Sequence, residues 1–492
     1  MATTSSEKTW GNYIGGEWAA SESGKTFESR NPSNTTELIG EFASSTSSDV
    51  DAAIQAATDA FPKWRDTNAI ARSVILLKAA DILASRQAEI GRELSREEGK
   101  TLKEGVGETG RAVQILRYYA GDAQQPNGEH YPSMNPDTLL YTTREPLGVV
   151  GIITPWNFPI AIPAWKIAPA LAFGNTVVFK PASATPLLAA RFVEALADAG
   201  LPAGVLNLIT GSASTVGDPL VEDDRIAAIS FTGSSDVGRK LAVTAAKRGA
   251  KIQLELGGQN PAIVLADADM NHALQHVMVG GMWSSGQKCT ATSRVIVQSS
   301  IVDEFTTRLL EKIQGLKVGD PLDESTHLGP LISADAADSV VAGSDQAKKD
   351  GSELLAGGTR LSDQGRENGF FVAPTLFTNV DPASHLGQEE IFGPIMGVIP
   401  VDDMDQAIDI ANSVKYGLSA SIFTRDLGRA LQFAKKIQAG IVHVNSETAG
   451  AEPQVPFGGY KGSSSYSREQ GKSARDFYTQ VKTVYIDPPP AG

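Results

Sequence analysis

Short β-branched segments alternate with helical segments from residue 147 onward, and this alternation restricts the fold more than any other feature of the chain. The predicted strands are 149–153, 176–179, 205–209 and 226–231, and the predicted helices are 162–173, 186–199 and 236–247. A helical crossover between successive strands makes those strands parallel, and a parallel sheet is covered by helices on both faces. The segment therefore predicts a doubly wound α/β lobe.

A second series of strands and helices begins near residue 257 and continues to about residue 444. Its first predicted strands are 262–265 and 294–298, and its first predicted helices are 269–284 and 301–315. Helical patterns before the first series occupy 48–60, two helices within 68–97, and 102–121. Because 492 residues exceed what one hydrophobic core usually organises, we expect two α/β lobes.

Charge and apolar patterning argue against several classes of partner. The net charge is −14, whereas nucleic acids and anionic membranes are bound by clustered Lys and Arg. The apolar region 146–179 is interrupted by proline, asparagine and lysine, so it does not predict a membrane-spanning helix. Residues 1–12 contain no apolar signal segment, and with a single cysteine this predicts a cytoplasmic protein.

Cys289 is the only cysteine, and it lies in Gly-Gln-Lys-Cys-Thr (286–290). A single thiol cannot form an intramolecular disulfide or a cysteine-rich metal site. Glu255, in Leu-Glu-Leu-Gly-Gly (254–258), is a carboxylate able to act as a base. The pattern is compatible with a nucleophile in a loop, and the alternative is a buried structural thiol, the commoner state of a single cysteine.

The turn Gly-Ser-Ser-Asp-Val-Gly (233–238) joins a strand to a helix and predicts a phosphate site, because free N–H groups and the helix dipole face an anion there. It matches neither Gly-x-Gly-x-x-Gly nor a Walker A loop, so a simple connection is the alternative.

Lys180 and Ser183 follow the second strand, where a doubly wound fold meets an adenosine ribose. No carboxylate occurs from there until Glu194, which predicts tolerance of, or preference for, a ribose 2′-phosphate. A lysine in solvent at a strand end is the alternative.

Two further groups of polar residues are candidate binding sites. Glu390, in Glu-Glu-Ile-Phe-Gly-Pro (389–394), is suited to hold a pair of ribose hydroxyls, unless the segment is only a solvated acidic turn. His272 and His276 are four residues apart on a predicted helix, but Ala273 replaces the glutamate that a zinc-protease motif requires. We therefore predict no metal site.

Eight short motifs follow one another along the chain: Thr-Pro-Trp-Asn-Phe-Pro (154–159), Trp-Lys-Ile-Ala-Pro-Ala-Leu (165–171), Lys-Pro-Ala-Ser (180–183), Phe-Thr-Gly-Ser (231–234), Leu-Glu-Leu-Gly-Gly (254–258), Gly-Gln-Lys-Cys (286–289), Glu-Ile-Phe-Gly-Pro (390–394) and Pro-Phe-Gly-Gly (456–459). Their order and spacing are those of the aldehyde dehydrogenase superfamily, and the chain resembles that family from about residue 13 to residue 484.

The resemblance implies an α/β protein with a Rossmann-like cofactor domain, an α/β catalytic domain and a small β oligomerisation arm. We expect 1–123 and 146–256 to form the dinucleotide-binding domain, 257–463 the catalytic domain, and 124–145 with 464–492 the arm. The implied cofactor is NADP or NAD, and the residues after strand 176–179 favour NADP. The implied cofactor-binding residues are Ile153, Thr154, Pro155, Trp156, Lys180, Ser183, Gly233, Ser234, Gly257, Glu390 and Phe392.

The resemblance also implies a mechanism. The Cys289 thiolate attacks the aldehyde carbon, and Asn157 Nδ2 with the Cys289 backbone N–H holds the resulting oxyanion. After oxidation to a thioester, Glu255 activates the water that hydrolyses it. Lys166 is expected to help position the cofactor and the site.

Two segments narrow the substrate. Residues 286–294 and the serine-rich segment Lys-Gly-Ser-Ser-Ser-Tyr-Ser-Arg-Glu-Gln-Gly (461–471) resemble the 2-oxoglutarate semialdehyde (2,5-dioxopentanoate) dehydrogenases of this family. Many relatives instead have Ser-Gly-x-Gly-Arg-Glu in the second segment, which is one residue shorter. A polar loop near the substrate entrance predicts hydrogen bonds to a carboxylate or keto oxygen. The candidate donors are Lys288, Arg117, and Ser464 or Ser465.

Three alternatives stay open. Succinate semialdehyde or another small aldehyde would be oxidised by the same chemistry. A non-catalytic structural relative would keep the fold, although every expected catalytic residue is present. A CoA-acylating enzyme would transfer the acyl group to CoA, whereas Glu255 favours hydrolysis.

Assembly into a homodimer or homotetramer is also implied. We expect 124–145 and the strand near 483–486 to pair between subunits, because an unpaired sheet edge invites aggregation.

Overall fold

Two seven-stranded β-sheets form the centres of two lobes in the computed structural model, which describes residues 9–489. Residues 1–8 and 490–492 lie outside the described residues. Residues 1–8 begin the predicted dinucleotide-binding domain, and 490–492 end the predicted arm. The prediction that no apolar signal segment is present rests mostly on residues 1–8.

The elements up to residue 255 comprise twelve strands and eight α-helices within the described residues. The strands are β1 (Thr9–Trp10), β2 (Asn12–Ile14), β3 (Glu17–Ala19), β4 (Thr26–Arg30), β5 (Leu38–Ala43), β6 (His130–Tyr131), β7 (Leu139–Pro146), β8 (Val149–Ile153), β9 (Thr176–Lys180), β10 (Leu206–Leu208), β11 (Ile226–Thr232) and β12 (Lys251–Glu255). The helices are α1 (Ser47–Asp66), α2 (Ala69–Ser85), α3 (Gln87–Glu98), α4 (Leu102–Asp122), α5 (Ala161–Ala172), α6 (Pro186–Asp198), α7 (Asp218–Glu222) and α8 (Ser235–Lys247).

The first large sheet has the strand order β12-β11-β8-β9-β10-β2-β3, and its five strands from β12 to β10 are parallel. Strands β8, β9 and β10 are buried along their whole length, which suits a sheet with helices on both faces. The chain leaves β8 toward β9 and β10 and later returns to the other side of β8 for β11. A crevice therefore opens beyond the carboxyl ends of β8 and β11, where such folds bind ligands.

Helix α1 is longer than predicted, because it continues from residue 60 to residue 66 through Pro62. Thr46 and Asp49 form a reciprocal capping box at its start. Its last turn places Trp64 in the core, with 2% of the residue exposed. Burial of the indole offsets the cost of a proline inside the helix.

The elements after residue 256 comprise twelve further strands and seven α-helices, again counted over the described part of the chain. The strands are β13 (Asn260–Val264), β14 (Thr292–Gln298), β15 (Glu353–Ala356), β16 (Arg360–Leu361), β17 (Phe371–Val372), β18 (Thr375–Thr378), β19 (Ile395–Val401), β20 (Tyr416–Gly417), β21 (Ser419–Phe423), β22 (Ile441–Val444), β23 (Tyr460–Lys461) and β24 (Thr479–Ile486). The helices are α9 (Met270–Met282), α10 (Val302–Gln314), α11 (Ala334–Lys349), α12 (His385–Gln388), α13 (Met404–Asn412), α14 (Leu427–Lys436) and α15 (Gly471–Tyr478).

The second large sheet has the strand order β15-β18-β19-β14-β13-β21-β22, and only β15 is antiparallel to its neighbour. Cys289 lies between α9 and β14, and β14 is the central strand of this sheet. The predicted α/β fold class with two lobes is confirmed.

A small antiparallel sheet has the order β24-β7-β6, and β24 pairs with β7 along all eight of its residues. This sheet contains the strands predicted for the arm. However, residues 463–465 lie along β12, and Phe477 and Tyr478 are buried in the core of the first lobe. Within 464–489, β24 is the one element that joins the arm sheet. The predicted domain boundaries stay a prediction.

Within residues 9–489, every helix is too short or too polar to span a lipid bilayer.

Candidate active site

The carboxyl ends of β8, β9, β11 and β12 meet at one edge of the first sheet. Ile153 pairs with Lys180 and with Phe231, and Thr232 pairs with Glu255. Most of the predicted cofactor residues lie at these strand ends: Ile153, Thr154, Pro155 and Trp156 at β8, Lys180 and Ser183 at β9, Gly233 and Ser234 at β11, and Gly257 just beyond β12.

Several polar groups at this edge have spare hydrogen-bonding capacity. The hydroxyls of Thr154 and Thr232 are buried and have no partner among the described residues. Ser234 makes no side-chain capping bond, so the first-turn N–H groups of α8 stay available to an anion. The Lys180 ammonium is buried and donates only to the Pro181 carbonyl at 3.2 Å, within the described part of the chain. Burial lowers the pKa of Lys180 to about 8. These features fit a bound phosphorylated nucleotide.

Glu390 and Phe392 reach the same region from the second lobe. The Phe392 ring meets the Trp156 ring edge-on at 5.5 Å, and its backbone has a positive φ of 59°. Glu390 Oε1 accepts a hydrogen bond from the Gly258 N–H at 2.9 Å, and burial raises the pKa of Glu390 to about 7. A Cβ on Gly257 would lie 2.2 Å from Glu390 Oε2, so this close approach requires glycine.

A strained turn presents Cys289. Ser284, Ser285 and Gly286 have φ values of 56°, 51° and 69°, in the left-handed region. Glu104 Oε1 accepts hydrogen bonds from the N–H and hydroxyl of Ser284 at 2.7 and 3.3 Å, and the Ser285 hydroxyl donates to the Gly329 carbonyl at 2.9 Å. Such strain persists only where neighbouring contacts hold it.

Cys289 and Asn157 are brought together, as predicted. Asn157 is buried and its Nδ2 donates to the carbonyl of Gln287, two residues before the cysteine, at 3.0 Å. One Nδ2 hydrogen is left for a ligand oxygen. Asn260 Nδ2 donates to the Cys289 carbonyl at 2.8 Å. Burial of the thiol, together with Glu390 and Glu255, raises the pKa of Cys289 above its usual range, although the residue as a whole is partly exposed.

A buried ion-pair cluster supports the loop that carries Asn157. Lys100 Nζ lies 2.7 Å from Glu108 Oε2 and 3.9 Å from Glu98 Oε1, and it also donates to the Asn157 carbonyl. Glu108 Oε1 accepts the N–H groups of Ile160 and Ala161 at 3.1 and 3.2 Å. No motif signalled this cluster, because its members are separated from the loop by about fifty residues.

Glu255 ends β12 and is 2% exposed. Its Oε2 accepts the hydroxyl of Ser464 at 2.7 Å, and its Oε1 has no partner among residues 9–489. Burial and the neighbouring Glu469 raise the pKa of Glu255 well above its ordinary value, although Ser464, Lys166 and Arg468 oppose them. A carboxyl with a raised pKa is suited to general acid–base work.

Lys166 forms a buried ion pair with Glu469 and donates to the Ser230 hydroxyl at 2.9 Å. The motif at 165–171 predicted Lys166 in the site, but it gave no indication of a partner 303 residues away. The one feature of the sequence that could have indicated this partner is Glu469, a carboxylate inside the serine-rich segment 461–471. These contacts place Lys166 in the surroundings of Glu255 rather than beside the thiol.

The Cys289 thiol opens into a cavity of about 300 Å³. Four aromatic rings line it, and so do side chains of both charges. The aromatic residues are Phe158, Trp165, Trp283 and Phe457, and the charged residues are Lys100, Glu104, Glu108, Arg111, Lys288 and Glu447.

Lys288 and Arg111 are the cavity cations without a salt bridge among the described residues. Lys288 is buried and, among residues 9–489, donates only to the Val279 carbonyl at 3.4 Å. Burial lowers the pKa of Lys288, and Glu447 opposes that shift. Arg111 donates to Gln114 at 3.3 Å, and burial lowers its pKa. Both cations are therefore available to an anionic ligand.

The other predicted substrate donors lie elsewhere. Arg117 pairs with Asp81 at the surface, 3.0 Å away, because six residues along α4 turn it away from the face of Arg111. The Ser464 hydroxyl donates to Glu255, and the Ser465 hydroxyl accepts the Leu254 N–H at 2.9 Å. Neither serine lines the cavity, so the structure places all three of these candidates away from it, and their contact with substrate stays a prediction.

Comparison with known proteins gives one consistent result. The model of the aldehyde dehydrogenase family matches residues 18–484. The chain is 48% identical to the alpha-ketoglutaric semialdehyde dehydrogenase of Bacillus subtilis, over 99% of this chain and 100% of that protein. It is 45% identical to the alpha-ketoglutarate semialdehyde dehydrogenase of Haloferax volcanii, over 96% and 98% of the two chains.

Solved structures agree with the sequence relatives. Betaine aldehyde dehydrogenase from Staphylococcus aureus in complex with NAD+ superposes with a TM-score of 0.95 at 36% identity, covering 98% of this chain and 95% of that one. The NAD-dependent aldehyde dehydrogenase of Sinorhizobium meliloti has a TM-score of 0.95 at 37% identity, covering 99% and 96%. Both the fold and the motifs of the site therefore point to one family. The chain belongs to the aldehyde dehydrogenase family and is an oxidoreductase.

Proposed function

We propose that this enzyme oxidises 2,5-dioxopentanoate to 2-oxoglutarate, with NADP or NAD as the hydride acceptor. The observation that carries the proposal is the cavity at Cys289, which contains two cations without a salt bridge among the described residues, Lys288 and Arg111. A substrate with a carboxylate at the end opposite its aldehyde would match that arrangement. Relatives at 41–48% identity carry names for the same aldehyde.

In the first half of the reaction, Cys289 sulfur bonds to the aldehyde carbon. The free Nδ2 hydrogen of Asn157 and the Cys289 N–H stabilise the oxyanion. Because the pKa of the thiol is raised, its proton must pass to a base before attack. Glu255 is suited to accept it, since its own pKa is raised as well, and it must release that proton to solvent before it acts in the second half.

In the second half, Glu255 accepts a proton from water, and the water oxygen bonds to the thioester carbon. The C–S bond breaks, the sulfur leaves with its electron pair, and the carboxylic acid is released. A carboxylate placed for this step favours hydrolysis over transfer to CoA.

The strand ends of the first sheet are the proposed cofactor site. A bound nicotinamide dinucleotide supplies the hydride acceptor for oxidation. Thr154, Thr232 and the first turn of α8 would hold its phosphates, and Glu390 would hold a ribose. Lys180 has no carboxylate partner among the described residues, and burial is what lowers its pKa. An ammonium group without a carboxylate partner at this strand end supports preference for a ribose 2′-phosphate, and hence for NADP.

The test is steady-state reduction of NADP and NAD with 2,5-dioxopentanoate, succinate semialdehyde and butanal. We expect the highest kcat/KM with 2,5-dioxopentanoate and NADP. Equal or reversed values for succinate semialdehyde would leave a general semialdehyde dehydrogenase and refute the substrate assignment.

The anchoring role of Arg111 has a matched control on the same helix. Arg111→Gln is expected to raise the KM for 2,5-dioxopentanoate at least about tenfold, the effect of one lost charge-assisted hydrogen bond, and to leave butanal kinetics unchanged. Arg117→Gln removes an equal charge from the surface and is expected to change neither. An unchanged KM in Arg111→Gln would leave Lys288 as the candidate anchor.

We also infer a homodimer or homotetramer in the cytoplasm. Strand β24 is an edge of the arm sheet and exposes Val481, Tyr485 and Ile486. Strand β22 is an edge of the second sheet and exposes Val442 and Val444. Pairing between copies would cover such apolar edges, and sedimentation velocity of the full chain tests it.

A further inference from the structure

The serine-rich segment 461–471 continues the sheet of the first lobe beside the proposed base. The Leu256 N–H donates to the Ser463 carbonyl at 2.8 Å, and the Ser465 N–H donates to the Leu254 carbonyl at 3.0 Å. Glu255 and Ser464 are therefore opposite each other in an antiparallel bridge. The segment lies against the base rather than against the cavity, where none of its residues is found.

The hydrogen-bond geometry at Ser464 fixes the direction of its hydroxyl. The Gly459 N–H donates to Ser464 Oγ at 2.6 Å, and Ser464 Oγ lies 2.7 Å from Glu255 Oε2. An N–H can only donate, so the oxygen of Ser464 is an acceptor there. The single hydroxyl proton is then directed at the Glu255 carboxylate.

We propose that Ser464 is a positioning residue for the general base, holding Glu255 Oε2 so that Oε1 takes the proton of the hydrolytic water. Oε1 is buried and accepts no hydrogen bond from residues 9–489, so its acceptor capacity is not used by the protein. This inference rests on the proposed roles of Glu255 and Cys289. It gives Ser464, in the serine-rich segment 461–471, a role in deacylation.

The proton balance of the step involves only Glu255 and water. Water loses a proton to Oε1, its oxygen bonds to the acyl carbon, and Cys289 leaves as the thiolate. Ser464 keeps its proton throughout and donates a hydrogen bond to the anionic form of the base. Ser464 thus lowers the pKa of Glu255, as Lys166 and Arg468 do, whereas burial and Glu469 raise it. Glu255 in turn raises the pKa of the Cys289 thiol.

The experiment compares Ser464→Ala, Ser464→Thr and Ser467→Ala in the full-length enzyme. The Ser467 hydroxyl contacts only Ser465 among the described residues, at 3.2 Å, so Ser467→Ala removes a hydroxyl from the same loop without touching the base. Stopped-flow absorbance measures the rate of the first turnover. Quenched samples analysed by mass spectrometry measure acyl-enzyme on Cys289, and the pH profile of kcat measures the acid limb.

For Ser464→Ala we expect the steady-state rate to fall about tenfold, the loss of one hydrogen bond to a charged group. The first turnover should slow by less, because Glu255 serves in that half only to take the thiol proton. Acyl-enzyme should accumulate, and the acid limb of kcat should move to higher pH because the base loses a donor to its charged form. Ser464→Thr should restore all three readouts, and Ser467→Ala should match the wild type.

Two results would overturn the role of Ser464: a variant indistinguishable from the wild type, or a first turnover that slows as much as the steady state, as a distorted loop would cause. Failure of the proposed function looks different. In that case the wild-type enzyme itself would form no acyl group on Cys289, and both proposals would fall together.

Discussion

Replacing Lys100 by methionine tests the support of the oxyanion loop and exposes the cost of an unpaired buried charge. The side chains of Lys100 and Glu108 are 2% and 3% exposed, so neither charge has access to bulk water. Burial raises the pKa of Glu98 to about 8, and this carboxyl is mostly protonated at neutral pH. Removal of Lys100 therefore leaves one uncompensated anion, Glu108.

Breaking a buried pair from one side typically costs about 3–5 kcal/mol. We expect Lys100→Met to lower the free energy of unfolding by that amount. Lys100→Met/Glu108→Gln should recover more than half of the loss, because the stranded charge is gone. Lys103→Met, an exposed neighbour, should change stability by less than about 0.5 kcal/mol.

Guanidinium-induced unfolding followed by tryptophan fluorescence measures these differences, with the slope m compared so that a change in cooperativity is recognised. The kcat of Lys100→Met should also fall, since Lys100 donates to the Asn157 carbonyl. A Lys100→Met enzyme that unfolds at the wild-type midpoint, or a double variant without recovery, would refute the reasoning.

Two further predictions concern the cofactor site. Gly257→Ala places a Cβ 2.2 Å from Glu390 Oε2, so the carboxylate must move. Steady-state rates at varied cofactor concentration should give KM values for NADP and NAD raised about tenfold, equivalent to one lost charge-assisted hydrogen bond. Unchanged KM values would contradict the assignment of Glu390. Lys180→Met should lower the ratio of kcat/KM for NADP to that for NAD about tenfold, with the enzyme still active on NAD; a constant ratio would show that Lys180 does not meet the 2′-phosphate.

The central strands were predictable because their residues leave little choice. The segment 149–153 is a fully buried β-branched run followed by Thr-Pro, and the observed strand β8 has the same bounds. Strand β11 extends only one residue beyond its predicted end, to Thr232. Helix α1 was predicted too short, because a proline usually marks a boundary and the burial of Trp64 cannot be read from local pattern.

The candidate site was predictable where function depends on contiguous motifs. Asn157, Glu255 and Cys289 each lie in a short segment typical of the family. The hydrogen-bond partners of two site residues lie far away in sequence. Glu469 pairs with Lys166 and Ser464 donates to Glu255, and each partner is more than two hundred residues distant along the chain. The sequence analysis singled out the segment 461–471 that contains both partners, but only the fold shows which side chain each of them contacts.

The position of Arg117 outside the cavity has a simpler cause. Arg111 and Arg117 are both arginines on α4, but six residues rotate the helix by about 240°. Helical periodicity, applied to residues 104, 107, 108 and 111, would have selected the cavity face.

The placement of segment 461–471 has an evolutionary consequence. Ser464 contacts the carboxylate of the proposed base and no residue of the segment lines the cavity, so we expect substitutions at Ser464 to alter turnover while the choice of aldehyde stays constant. Substitutions at Arg111, on the cavity face of α4, are expected to change the choice of aldehyde without altering the base. In the proposed mechanism, turnover and substrate range can therefore evolve independently, through positions more than three hundred residues apart.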